Sequence, residues 1–281
     1  MSSYVGVEVL TEHVSRLSIT QSEGLAQRHK NLRDAGEHPT DDSKPNEKRL
    51  ANAMRRTMEQ IKDSIPPGFD MVHVKKISLY DCQLAFHRYG GPAPKPCEIE
   101  ENKKVSMKPD GGIVFLKNRI SGHLVPILIS EDKHQGTNDK LHAKGKKRQA
   151  TGNAIERFAK NMNMLKTLCK GLSYFPFVIF AAGCDFHKTE TIRKRLEQGN
   201  MGISNHYVDV TPAGNFPEVS AIVDDIVVEK RFGGESIATI CVKAHKYDTM
   251  NHHSSDWTED EYFRVLTRVA ECSIECLRQT I

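Results

Sequence analysis

Three side chains near the middle of this chain could share one piece of chemistry. Asp110 lies in Lys108-Pro109-Asp110-Gly111-Gly112, and Glu131 and Lys133 lie in Ser130-Glu131-Asp132-Lys133-His134. Two carboxylates can hold a hard cation such as Mg²⁺, which takes carboxylate oxygens and keeps several waters. An ammonium beside them can orient a water or steady developing negative charge. Whether the three can meet depends on the segment between them. Gly112–Lys117 and Leu124–Ser130 are apolar runs of strand length, and Asn118–Gly122 carries turn residues, so the spacing predicts a hairpin. Twenty residues lie between Asp110 and Glu131. Antiparallel pairing centred on the turn would set these two acids opposite each other at the open end. Along a strand, Glu131 and Lys133 share a face and Asp132 points away. Facing carboxylates repel, so the arrangement calls for a compensating cation.

An Asp followed at a distance by Glu-x-Lys is the pattern of the PD-(D/E)xK nuclease superfamily. Three blocks sharpen the likeness: KPDGGIV, then EDKHQG, then Gly152-Asn153-Ala154-Ile155-Glu156-Arg157. In that order they resemble the EcoRI-like type II restriction endonucleases, over roughly Met107 to Gly183. Weaker similarity reaches Ser236–Leu277, and the first hundred residues match poorly. The resemblance implies an α/β fold, with a central mixed sheet of five-stranded type flanked by helices and with arms that embrace DNA. It implies a Mg²⁺-dependent homodimer that cuts double-stranded DNA at a palindrome containing AATT, GAATTC being the first candidate. Cleavage would break the bond to the 3′ oxygen and leave 5′-phosphate ends. Asp110 and Glu131 would be the metal ligands, with the Asp132 backbone carbonyl a further oxygen. The Asp132 side chain stands where relatives often have a small residue. Lys133 would orient or deprotonate the attacking water, or steady the pentavalent phosphate.

Asn153-x-x-Glu156 is also a capping box, with Gly152 before it. The two roles are compatible, because a capped helix start presents free N–H groups to a phosphate or base edge, and Asn can bond adenine bidentately. By resemblance, Asn153, Ala154 and Arg157 contact bases or lie close to them, and Glu156 braces arginines across a dimer. Lys133 to Lys160 holds eight Lys or Arg against two acidic residues, a local charge of +6 in a chain whose total is +4. Such a run is usually a solvated face. Between a nuclease hairpin and a base-reading helix it reads instead as an arm on the duplex backbone, with Lys146, Lys147, Arg148 and Lys160 as contacts. Arg193 and Arg195 are candidates in a second arm. Gln149-Ala150-Thr151 departs from the residues that help the family read the outer base pair, so the central AATT is better supported than its flanks.

Composition is permissive. The chain has 281 residues, 38% of them hydrophobic, enough for one large domain. One domain over 1–281 is expected, with 1–48 as a poorly matched segment and 134–151 and 184–216 as arms. No apolar stretch is long enough to cross a membrane, and no signal peptide is visible. Seven scattered cysteines without a C-x-x-C pair suggest reduced thiols in a cytoplasm. His252-His253 and Cys272-x-x-x-Cys276 read as a solvent loop and a buried helix face, not as metal ligands. Trp257 reads as a core or interface anchor.

Periodicity predicts helices over Lys48–Ser64 and Asn153–Leu172. A final helix begins at Thr258 with a capping box to Glu261, burying Phe263, Leu266, Val269 and Leu277. Strands are expected at Met71–Tyr80, Phe175–Ala182, Ala221–Val228 and Ser236–Lys246, and Cys184–Phe216 reads as irregular. Two other readings stay open: a structure-specific repair nuclease of the same superfamily, and a sequence-specific DNA-binding protein that does not cleave. Plasmid digestion separates all three.

Overall fold

The computed structural model describes residues 43–88, 90–134, 164–182, 208–210, 238–243 and 256–280. Apart from Ser43 and Lys44, these belong to one compact unit, Pro45–Ile281. The elements in chain order are α1 (Ser43–Ile61), β1 (Phe69–Val74), β2 (Ile77–Ser78), α2 (Leu79–Arg88), α3 (Ile99–Lys104), β3 (Ser106–Met107), β4 (Gly112–Asn118) and β5 (Leu124–His134). They continue with β6 (Phe177–Ala182), β7 (Val208–Val210), β8 (Ala238–Lys243) and α4 (Glu259–Arg278). Residues 164–169 are helical as well. The architecture is α/β, a mixed sheet flanked by helices.

The main sheet runs β1-β4-β5-β6-β8-β7. β1, β4 and β5 pair antiparallel, while β5-β6, β6-β8 and β7-β8 are parallel. β5 is therefore where the sheet changes character. Its first half pairs with β4 as far as Ser130 against Gly112, and its second half, from Ile129 to His134, pairs with β6. Beyond Ser130 the strand outruns β4 and leaves an opening beside Glu131–Lys133. The interior strands are buried on both faces: Gly112–Leu116 and all of Phe177–Ala182. A strand with two covered faces reads as a continuous apolar run, which is what both sequences are.

The predicted hairpin and the capping box of the last helix are present, and the strand expected at Phe175–Ala182 is present from Phe177. Thr258 accepts from the Glu261 amide, and the Glu261 side chain accepts from the Thr258 amide. Other expectations need correction. Among the described residues the sheet has six strands, not five, because the three-residue β7 falls inside a segment read as irregular. The helix expected from Lys48 starts at Ser43 and ends at Ile61 before a 3-10 turn. Met71–Tyr80 is not one strand. It breaks at the exposed Lys75 and Lys76, and Leu79 and Tyr80 already belong to α2. An apolar alternation shorter than a helical turn cannot tell these states apart. The helix at 164–169 stops before Leu172, and Gly171 follows at φ +94°, a left-handed position suited to ending a helix. Phe263 is half-buried rather than buried, with the Arg56 guanidinium 4.3 Å from its ring centre. Residues 153–163 and 221–228 lie outside the described residues.

α4 packs on β5 and β6 through an aromatic knot. Phe180 meets Tyr262 edge-on at 4.7 Å and Trp257 at 5.2 Å. Each such ring, fully buried, contributes roughly 1.5–3 kcal/mol by leaving water. The Trp257 indole also donates to the Ala181 carbonyl at 3.3 Å, so it is a core anchor. α1 lies along α4, with Thr57 and Thr267 hydroxyls 3.3 Å apart and Asn52 donating to Glu259 at 3.0 Å. Among the described residues, no helix is long and apolar enough to cross a membrane.

Candidate active site

Strand alternation does what the sequence demands of it. Glu131 and Lys133 leave β5 on one face. Asp132 leaves on the other, where the Tyr262 hydroxyl donates to its carboxylate at 3.0 Å. The Lys133 ammonium donates to Glu131 Oε1 at 2.5 Å, to the Asp132 main-chain carbonyl at 3.1 Å and to Asp110 Oδ2 at 3.2 Å. An ammonium has three protons and accepts nothing, so these three oxygens satisfy it. The turn and the strand are also stitched through the backbone. The Asp110 amide donates to Glu131 Oε2, and the Asp132 amide donates to Asp110 Oδ2, both at 3.1 Å.

The expected juxtaposition of Asp110 and Glu131 is reached by a different register. A β-bulge between Val114 and Phe115 leaves Ile127 as an extra residue on β5. Continued past Gly112–Ser130, the ladder sets Asp110 against Asp132 and Gly111 against Glu131. The bulge has a local cause: Pro126 cannot donate to the ladder, and its carbonyl accepts from the Tyr174 hydroxyl at 3.1 Å. The two acids still converge, because Lys133 draws both inward.

Burial sets the electrostatics. The Glu131 side chain is 5% exposed, and that burial raises its pKa. The Lys133 charge opposes the rise, the Asp110 charge adds to it, and the net shift is upward. For Lys133, burial is the largest influence and works against the charged form. Glu131 and Asp110 together outweigh it and hold the ammonium above its ordinary pKa. Lys133 is thus a cation in this arrangement, suited to orienting a water or a phosphate oxygen more than to removing a proton. Burial pushes Asp132 up to about 6, against the pull of the Tyr262 hydrogen bond.

Three contacts support the cluster from outside its own side chains. His73 Nε2 lies 2.9 Å from the Gly111 carbonyl. A Cβ on Gly111 would overlap the Ser130 hydroxyl. Tyr262 comes 130 residues after its partner. Gly111 and Ser130 lie in the two motif blocks, whereas His73 and Tyr262 lie far from them in the chain, and only His73, a polar residue in a strand, offered a local signal. Lys146, Lys147, Arg148, Asn153, Ala154, Arg157, Lys160, Arg193 and Arg195 lie outside the described residues.

The family model for restriction endonuclease EcoRI matches residues 101–281. The chain belongs to this family. Among the relatives of this EcoRI-family chain is the type II restriction enzyme RsrI of Cereibacter sphaeroides, 28% identical over 196 residues, covering 62% of this chain and 65% of the relative. The type II restriction enzyme EcoRI of Escherichia coli is 30% identical over 188 residues, covering 61% and 65%. The chain thus spans about two thirds of the length of each. Asp110, Glu131 and Lys133 all fall inside the matched part, and α1, β1 and α2 fall before it.

The donor chemistry fits the divalent metal that an EcoRI-family nuclease implies. Among the described residues, no three His, Cys, Asp or Glu side chains gather at one point. The oxygens gathered here are two carboxylates and a main-chain carbonyl. All are hard donors, too few to enclose a cation. Such a set suits a hard divalent cation that completes its shell with water.

Proposed function

We propose that this chain is a type II restriction endonuclease, acting as a homodimer on double-stranded DNA at a palindrome centred on AATT, with GAATTC the leading candidate. The observation that carries the reading is the meeting of Asp110, Glu131 and Lys133 where β5 outruns β4. Family membership supports it, and so does the local charge of +6 over residues 133–160.

In this reading Asp110, Glu131 and the Asp132 carbonyl would hold Mg²⁺. When bound, the metal polarises the phosphate and acidifies a water. Lys133 keeps its proton and directs the water's lone pair at phosphorus. Water oxygen bonds to phosphorus as the bond to the 3′ oxygen breaks, and the water releases a proton to solvent. The 3′ oxygen takes up a proton, leaving 3′-hydroxyl and 5′-phosphate ends. Asn153, Ala154 and Arg157 would read the central bases. Lys146, Lys147, Arg148 and Lys160, with Arg193 or Arg195, would grip the backbone or the outer bases. The described residues bring one Asp, Glu and Lys set together, so cutting both strands calls for two copies, and a twofold dimer matches the dyad of a palindrome.

Plasmid digestion in Mg²⁺, followed by sequencing of the fragment ends, tests this. Discrete fragments sharing one palindromic end sequence are expected. They should disappear with Asp110→Ala while specific DNA binding persists. Structure-dependent nicks, or binding without any cleavage by the parent chain, would overturn it.

A further inference from the structure

Asp110 is the exposed member of the cluster, and it stands on a turn rather than a strand. Its side chain is 35% exposed, against 5% for Glu131. A carboxylate on a free turn would wander by more than metal binding tolerates. Something must fix Pro109–Gly112, and the contacts that do so come from three directions. The Gly111 amide donates to the Ser130 carbonyl at 3.0 Å, and the Gly112 amide closes back on the Pro109 carbonyl at 2.9 Å. From the far side, β1 presents His73, whose Nε2 meets the Gly111 carbonyl.

The fit around that imidazole is close. Gly112 has φ +81°, and a Cβ there would sit 2.5 Å from His73 Nε2 and 2.7 Å from the Val74 carbonyl. Gly111 is backed just as tightly by Ser130. The glycine pair is therefore the space that lets the His73 ring and the Ser130 hydroxyl close on the turn from opposite sides. A carbonyl oxygen can only accept, so the Nε2–H tautomer is required. Burial lowers the His73 pKa, which favours the neutral ring.

We propose that His73 is a positioning residue, which holds the Gly111 carbonyl and thereby aims the Asp110 carboxylate at Lys133 and at the metal. The role rests on the nuclease reading of the cluster, but the clamp itself is a property of the metal-free fold. It lies before the family-matched segment, so β1, outside residues 101–281, completes a site that lies inside them.

His73→Ala and His73→Gln in the full chain test it, because a glutamine side-chain amide can donate from about the same reach. Amide hydrogen exchange of the metal-free protein is the first readout. In His73→Ala, exchange at Gly111 and Gly112 should quicken by roughly tenfold while exchange in β6 and α4 stays as in the parent. The second readout is cleavage against Mg²⁺ concentration. His73→Ala should need about 10–100-fold more metal for half-maximal rate. Specific DNA binding without metal should change little. His73→Gln should recover most of both losses. Parent-like exchange and metal dependence in His73→Ala would overturn the clamp, as would a His73→Gln variant no better than Ala. Global unfolding of both variants would also overturn it, by marking His73 as general packing. If the parent does not cleave, the nuclease reading falls, and hydrogen exchange still decides the clamp.

Discussion

Glu131 and Asp110 hold the same ammonium and are built in opposite ways. Glu131 stands on an interior strand, with β6 hydrogen-bonded along one edge and α4 packed behind it. Its position comes with the core. Asp110 stands on a four-residue turn at the end of the sheet, and its position comes from single contacts: His73, Ser130 and the glycine pair. The strand half of the site should be robust to any one contact, and the turn half should not. Of the two halves, the turn side is the more open, with Asp110 35% exposed against 5% for Glu131.

The largest effect should come from Glu131→Gln, which keeps the shape and removes the charge. Cleavage should fall by several orders of magnitude if Glu131 is the metal ligand proposed above. Metal-free thermal stability should hold or rise, because a buried carboxylate costs free energy that an amide does not. Added Mg²⁺ should raise the melting temperature of the parent and not of the variant. A variant that melts far below the parent would mean that Glu131 serves the fold more than the site.

Gly112→Ala and Gly111→Ala probe the turn half. At Gly112 the obstacles are a positive φ, the His73 ring and the Val74 carbonyl, so moving the ring alone cannot relieve the strain. Denaturant melts should show a loss of about 1–3 kcal/mol. At Gly111 the obstacle is the Ser130 hydroxyl, which Ser130→Ala removes. The pair Gly111→Ala with Ser130→Ala should therefore recover part of the single-variant loss. Strict additivity would sink the idea that the two side chains share one space.

Tyr262→Phe tests the support behind the strand. It strands the inner face of Asp132, with an expected cost of about 1–3 kcal/mol. In an Asp132→Ala background the same change should cost much less, and a double-mutant cycle in urea measures the difference. An equal cost in both backgrounds would show that the Tyr262–Asp132 hydrogen bond contributes nothing. Smallest of all should be Arg119→Ala at the hairpin tip. Its ion pair with Asp70, 2.8 Å long, joins two side chains more than half exposed. Water and salt screen such a pair, so the melting temperature should not move measurably at physiological ionic strength.

Local pattern alone determined a good deal of this protein. The apolar runs on either side of Asn118–Gly122 specify the hairpin. The period of two along a strand puts Glu131 and Lys133 on one face and Asp132 on the other. Thr258 and Glu261 announce the last helix. Each depends on residues close in the chain, where side-chain spacing and backbone sterics act directly. The tertiary structure decided everything that needs a distant partner. Pairing with β4 left Ile127 as a bulge beside Pro126 and moved the register by one. Lys75-Lys76 and the packing of α2 cut one expected strand in two, and β8 recruited β7 from a segment without strand pattern. His73, 38 residues before Gly111, and Tyr262, 130 residues after Asp132, reached the site only when the sheet and α4 closed. The physical reason is the same in each case: burial and hydrogen-bond satisfaction are settled by what lies across the sheet, and the spacing along the chain carries no record of it.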